Sequence, residues 1–364
     1  MDSRTRVSLA LSHRQPDRIP IDYWATGEIE AALLQRYGFD SREQLLEHFD
    51  VDFRYIEGPR YIGPEPVTHP DGSVEDHWGV PRIRVEVGQA GRRGSYREVA
   101  RFPLEDARSL EEIRDWPQWP SPDWFDYECV RAQAAEARRA GKVVVFMGDR
   151  TNRCAQLKPA MYLRGIARIL EDLALNPEIA EYLFDRIGQF YLEYARRTLA
   201  AADGNIDIFF TGDDFGTQTG LLISPAMWRA MLRGGFAAFI DLGHEFGCQV
   251  AHHTCGSIEP IIPDMIDAGL DILNPLQPDV AAMDHADLKA RYGDRISFHG
   301  SISIQRALPF GTPEDVRNEV RDRAAALAPG GGFILCTAHN IQADTPLENV
   351  EALFDAYRQF GSYA

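Results

Sequence analysis

Cysteine is scarce and unpaired in pattern: Cys129, Cys154, Cys248, Cys255 and Cys336 are five in 364 residues, an odd number with no Cys-x-x-Cys spacing. A disulfide framework is excluded and reduced thiols are expected. No stretch approaches 18 consecutive apolar residues, so no membrane-spanning helix is expected; the first twenty residues offer only Val7 to Leu11, too little for a secretion signal. A cytoplasmic protein is the expectation. Positive charge is in deficit, since 38 Lys and Arg stand against 55 Asp and Glu for a net charge of −17, without any basic run. Nucleic acid and anionic membrane are therefore not expected as partners. The first strand-like segment runs into Tyr23-Trp-Ala-Thr-Gly27, which is no Gly-rich phosphate loop and argues against a doubly wound dinucleotide fold. Internal repeats, low-complexity tracts and clear linkers are also missing.

What is present is a globular composition, 45% hydrophobic and 26% charged, able to bury a large core. Short β-branched runs alternate with long amphipathic segments. Strands are expected at Arg18–Trp24, Val51–Ile56, Val143–Met147, Ile206–Phe210, Gln249–His252, Leu270–Leu273, Ile296–His299 and Gly332–Cys336. Helices are expected between them, among them Glu28–Tyr37, Ser41–Phe49 with Ser41 as N-cap, Tyr162–Asn176, Pro177–Ala202 and Pro225–Phe246. From about residue 64 to 105, Asp71-Gly72, Gly79, Gly88, Gly91 and Gly94 punctuate alternating stretches such as Arg82–Val87, which read as β-hairpins. Eight strands joined by crossover-length connections predict a (β/α)8 TIM barrel. It is expected to be a single domain over 1–364 with a β-hairpin insertion between strands 2 and 3.

Barrel active sites lie at the carboxyl ends of the strands. The residues at those ends include Asp22, Tyr23 and Trp24, Asp149-Arg150, Asp213-Asp214-Phe215, His252 to Gly256, Asn274 to Gln277, His299, and Cys336 to Asn340. The sharpest group is His253-Thr254-Cys255. Positions i and i+2 of an extended segment project to one side, so imidazole and thiolate can close on one ion, and Gly256 lets the chain turn. Zinc takes N and S donors, and a third is available from either Cys336 or His339. His252 points the opposite way and reads as a packing residue. Asp213 and Asp214 offer a metal contact or an acid and base pair, with an N-cap as the plain alternative. His299 divides evenly between rim and core, and Asp149-Arg150 reads as an ion pair.

Taken together, Gly212-Asp-Asp-Phe-Gly-Thr-Gln218, His253-Thr-Cys-Gly256, Asp271-Ile-Leu-Asn-Pro-Leu-Gln277, Phe298-His-Gly300, Gly331-Gly-Phe-Ile-Leu335, His339-Asn-Ile-Gln342 and Pro346-Leu-Glu-Asn349 resemble the uroporphyrinogen decarboxylase superfamily from about Thr5 onward. Its decarboxylases carry an N-terminal Arg-rich segment that clamps carboxylates. Here Ile21-Asp-Tyr-Trp-Ala-Thr26 has no arginine, which disfavours porphyrin-precursor decarboxylation. The chain is more similar to the zinc-dependent, corrinoid-linked methyltransferases, in which a His-x-Cys and a later Cys bind zinc and a methyl group passes to or from cobalt on a partner protein. That resemblance implies zinc on His253 and Cys255. It places His339 where the branch has its last cysteine, with Cys336 three residues earlier. One thiolate and two imidazoles leave the ion a net positive charge and a stronger Lewis acid than two thiolates would, which suits demethylation of a small methyl ether. In that reading Asp213 or Asp214 completes the coordination or manages a proton, Tyr23, Trp24, Phe215 and His299 line the substrate pocket, and Gln277 offers a hydrogen bond. The partners implied are a small-molecule methyl donor or acceptor and a corrinoid protein. A decarboxylase-like reaction and a non-catalytic corrinoid- or tetrapyrrole-binding barrel stay open. So does a homo-oligomer, because Trp116 to Trp124 reads equally as an interface or as core.

Overall fold

A computed structural model describes residues 1–89, 92–149 and 151–363. Seven strands form one parallel sheet in sequence order: β1 (Phe53–Ile56), β2 (Val143–Phe146), β3 (Ile208–Gly212), β4 (Gln249–His253), β5 (Ile272–Leu276), β6 (Ser297–Ile302) and β7 (Phe333–Thr337). Six of the seven are buried along nearly their whole length, as their near-continuous apolar runs require of a sheet covered on both faces. Alternation then sorts the side chains. Val144, Phe146 and Phe209 join the layer under the helices, while Phe53, Val145, Phe210, Ala251, Ile272 and Ile334 share a separate inner cluster with Trp24. Residues from β1, β4 and β7 meet in that inner cluster, so the sheet curls into a TIM-like half-barrel.

The expected first strand differs. Arg18–Ala25 forms only isolated bridges, antiparallel from Arg18 to Ser362 and parallel from Ile21 to Leu335 and from Ala25 to Ile341. Pro20 has no N–H to give a ladder, and the segment instead bonds both edges of the sheet: Asp22 N donates to Leu335 O and Asp52 N donates to Ile21 O, each at 2.9 Å. Elsewhere the strand boundaries move by up to three residues, and two expected helices are each broken: Tyr162–Asn176 is Leu157–Arg164 and Ile166–Leu175, parted at Gly165 with φ +85°, and Pro225–Phe246 is Pro225–Met231 and Arg233–Glu245, parted at Leu232. Ser41 caps Arg42–His48 in a capping box with Gln44. Between β1 and β2, Val74–Glu75, Pro81–Gln89 and Arg92–Val99 form a three-stranded antiparallel sheet. Ala90 and Gly91 of the expected hairpin region lie outside the described residues. No helix among the described residues is long and apolar enough to cross a membrane.

Candidate metal centre

Strand parity builds the site. Ala251 faces the inner cluster, so two residues on His253 also faces inward at the carboxyl end of β4, and Asn274 and His299 do the same on β5 and β6. Cys255 follows in the loop, and His339 approaches from the segment after β7. One ligand atom from each of His253, Cys255 and His339 lies within 4.8 Å of the others, a donor set of two imidazoles and a thiol. His253 Nε2 and Cys255 Sγ are 3.3 Å apart. Cys336 is placed elsewhere, in a second buried group with Asp22 and His299. Of the two alternatives for a third ligand, His339 is the one brought to His253 and Cys255.

A chain of hydrogen bonds fixes which nitrogen of His253 faces that group. Asp22 Oδ2, a carboxylate oxygen, accepts from His299 Nε2 at 2.8 Å. The Asn274 amide nitrogen, which can only donate, gives its hydrogen to His299 Nδ1 at 2.6 Å. The amide oxygen is left to accept from His253 Nδ1, also at 2.6 Å. His253 Nε2 thus presents its lone pair beside Cys255. Burial, reinforced by Arg153, keeps the imidazole neutral. Asp22 is held in turn by the Tyr55 hydroxyl at 2.6 Å and Trp24 Nε1 at 3.1 Å. Burial and the Asp214 carboxylate push the Cys255 thiol up to about 12, so a cation has to displace its proton. His339 is less ready: Asn340 N donates to its Nδ1 at 2.8 Å, and binding a metal through Nε2 requires that bond to be released. The soft N and S donors, the set tautomer and the buried setting fit zinc.

The adjacent aspartates separate. Asp213 is buried and accepts three backbone N–H groups, from Gln156 and Leu157 at 2.7 and 2.6 Å and from Lys158 at 2.6 Å. It anchors the start of Leu157–Arg164. Burial pushes it up to about 6, and its partners are these amides rather than His253 or Cys255. Asp214 borders His253 and Cys255: it pairs with Lys158 Nζ, accepts from Cys255 N at 3.2 Å and stands 3.9 Å from His253 Nε2. Burial opposes its charge, but Lys158 holds its carboxyl well below the usual range.

Two of the expected lining residues are core instead. Tyr23 packs on Phe49 and Phe354, because alternation along Asp22-Tyr23-Trp24 sends it away from its neighbours. Phe215 stacks on His252, with ring centroids 5.5 Å apart, and packs on Trp228. Trp24 does reach the centre, its ring 5.8 Å from His253 and 5.5 Å from His299. His299 belongs to the hydrogen-bond chain described above. Gln277 accepts from Gly256 N at 2.7 Å and lines a cavity of about 400 Å³ with Cys255 and His339. A second cavity, about 640 Å³, opens over His253 and His339 and is lined also by Arg153, Lys158, Tyr96 and Asn340. Asn274 stood among the strand-end residues of the sequence, whereas Arg153 and Lys158, in the turn and the helix after β2, were not singled out there. Arg150 lies outside the described residues, and with it the ion pair expected of Asp149.

The sequence profile described as Uroporphyrinogen decarboxylase (URO-D) matches residues 150–360, more than half of the chain. The protein belongs to the uroporphyrinogen decarboxylase family. Within that family it is 26% identical over 200 residues to a methylated-thiol coenzyme M methyltransferase of Methanosarcina mazei, covering 55% of this chain and 50% of the relative. It is 22% identical over 241 residues to the uroporphyrinogen decarboxylase of Psychromonas ingrahamii, covering 63% of this chain and 62% of that one. The chain thus matches half of the first relative's length and somewhat under two thirds of the second's. In structure it is similar to a Methanosarcina mazei methyltransferase with a TM-score of 0.65, 19% identity and 99% of each chain covered, which is a likeness of fold. The family members named by activity therefore include both a methyl transfer and a decarboxylation.

Proposed function

We propose that this family member is a zinc-dependent methyltransferase that takes a methyl group from a small substrate, such as a methyl ether, and passes it to a corrinoid protein. The observation that carries the reading is the convergence of His253, Cys255 and His339 from separate segments at the open end of the sheet. We read the whole chain as one domain with a hairpin insertion, an eight-membered barrel whose first place is filled by Arg18–Ala25. Zinc held by these three residues would supply Lewis acidity to the leaving oxygen. The reaction would break the carbon–oxygen bond with the corrinoid carrier as methyl acceptor, and the oxygen would keep the bonding pair and later take a proton. Asn274 orients His253. Asp214, kept ionised by Lys158, is a fixed negative charge beside the cation rather than a proton donor. The absence of arginine from Ile21 to Thr26 weighs against decarboxylation of a polycarboxylate.

The test is elemental analysis with a transfer assay, in which reduced corrinoid carrier is offered methyl ethers, thioethers and amines. Wild type is expected to hold zinc stoichiometrically and to methylate the carrier from at least one donor. His253→Ala is expected to lose both. Full zinc content and full transfer in that variant would overturn the ligand assignment, and a zinc-loaded wild type inert to every donor would overturn the reaction.

A further inference from the structure

The proposed reaction leaves one buried thiol unused. Cys336 lies on β7 two residues beyond Ile334, which is paired with His299 on β6, so strand parity turns Cys336 and His299 to the same inner face. Asp22 reaches them from the irregular segment before β1. One ligand atom from each of the three lies within 4.8 Å of the others, as in the outer group of His253, Cys255 and His339. Asp22 and His299 are 2% exposed and Cys336 1%.

Two properties set this inner group apart from ordinary core. Asp22 Oδ2 meets His299 Nε2, the Tyr55 hydroxyl and Trp24 Nε1, and no lysine or arginine among the described residues forms an ion pair with it. A carboxylate so deeply buried is ordinarily matched by a cation or bound to a metal. A divalent ion on one carboxylate, one thiolate and one imidazole is formally neutral, which suits a site without water; the outer group leaves its ion positive. There is also a way in. A cavity of about 150 Å³ between the Asp22 segment and β1 is lined by Asp22 and Tyr55 and by the exposed Arg42 and Glu43. Burial, then Asp22, hold the Cys336 thiol far above its usual value, so its proton leaves only when a cation replaces it.

We propose that Asp22, His299 and Cys336 form a second site for zinc or a like divalent ion, and that filling it withdraws His253 from the outer site. The second half of that statement rests on the reading of His253 as a zinc ligand; the first does not. A metal on His299 Nε2 moves the ring proton to Nδ1, and the Cys336 thiol proton passes to solvent. Nδ1 must then donate to Asn274, whose amide turns over to offer its oxygen there and its nitrogen to His253 Nδ1. His253 is left with its proton on Nε2 and no lone pair toward Cys255. Because an inner ion also has to displace a hydrogen bond that Asp22 now accepts, the inner site fills only in metal excess, and protein freed of loosely held metal carries zinc at the outer group alone.

Cobalt(II) is the probe, since each site has one thiolate and cobalt–thiolate bonding gives a charge-transfer band. In His253→Ala/Cys255→Ala, which lacks the outer site, excess cobalt is expected to give one equivalent of thiolate-bound metal, lost when Cys336→Ala is added. No band in the double variant, or a band that survives Cys336→Ala, overturns the inner site. Cys336→Ala alone, which leaves the outer ligands in place, is expected to keep the first equivalent at wild-type affinity and to lose the second. A second equivalent that this variant still takes up as wild type does overturns the inner site as well. In wild type the second equivalent is expected to bind at least tenfold more weakly than the inner equivalent of the double variant; equal affinities overturn the antagonism. An inner site found in a protein that transfers no methyl group to any corrinoid carrier would stand by itself and remove the methyltransferase reading alone.

Discussion

The residue that most repays substitution is Asn274, because it touches no substrate and yet decides which face of His253 is available. Its amide accepts from one histidine and donates to the other, and the polarity is imposed from Asp22 at the far end of the chain of bonds. Asn274→Ala is expected to lower zinc affinity by about 10- to 100-fold, the usual effect of removing a group that orients a metal-bound histidine. Competition with a chromophoric chelator measures it, and the d–d spectrum of the cobalt-substituted protein should change as well. An unchanged affinity and spectrum would mean that the ring is held by packing alone. Asn274 shows why this part of the site was hidden in the sequence. His253 and Cys255 were legible because i and i+2 on a strand share a side, whereas the bonds that orient them join residues up to 277 positions apart and depend on the register of three strands. Tyr23 was readable in principle, since the same alternation that faces Asp22 and Trp24 inward sends it outward. Asp213 and Asp214 were not separable by type: one meets three amides at the start of the earlier helix Leu157–Arg164 and the other meets Lys158.

At the scale of elements, the site depends on how closely the loops after β3 and β4 approach each other. Gly256 has φ +94°, and a Cβ on it would lie 2.5 Å from the Gly216 backbone carbon; one on Gly216 would lie 2.8 Å from Cys255 O. Two backbones in contact at that point leave no room for side chains, and Cys255 is carried between them. Gly256→Ala therefore faces both a disfavoured backbone conformation and an immovable neighbour, with a cost of about 1–3 kcal/mol. A lower urea midpoint together with loss of stoichiometric zinc is expected, because the loop can only accommodate the methyl by moving Cys255. Full zinc retention would show the thiol to be placed by something other than this contact. The elements themselves were largely legible: β2 to β7 are short apolar runs bounded by Gly, Asp and Pro. The exception, Arg18–Trp24, has the composition of a strand, but Pro20 denies it a regular ladder.

For the molecule as a whole, that irregular segment is the point at which closure of the sheet and chemistry of the site meet. Asp52, fully buried, accepts from Arg6 Nη1 and Arg18 Nη1 at 2.8 Å each and from Ile21 N at 2.9 Å, tying the N-terminal helix Ser3–Leu11 and the Ile21 segment to the edge of β1. Asp22, the next residue, begins the bonds that end at His253. Removing the Asp52 carboxylate leaves two guanidinium groups without their buried partner and one amide without an acceptor. The expected loss is about 3 kcal/mol or more for Asp52→Ala. Asp17→Ala, which removes a half-exposed partner of the same Arg6, is expected to cost less than about 1 kcal/mol. Urea midpoints of the two variants compare them directly. Hydrogen exchange should locate the difference, with the Asp22 and Leu335 amides losing protection in Asp52→Ala and keeping it in Asp17→Ala. Because Asp22 loosens with the same segment, zinc affinity should fall in the first variant and not in the second. Equal midpoints for the two would place the closure of the sheet in its apolar packing and detach the site from this seam.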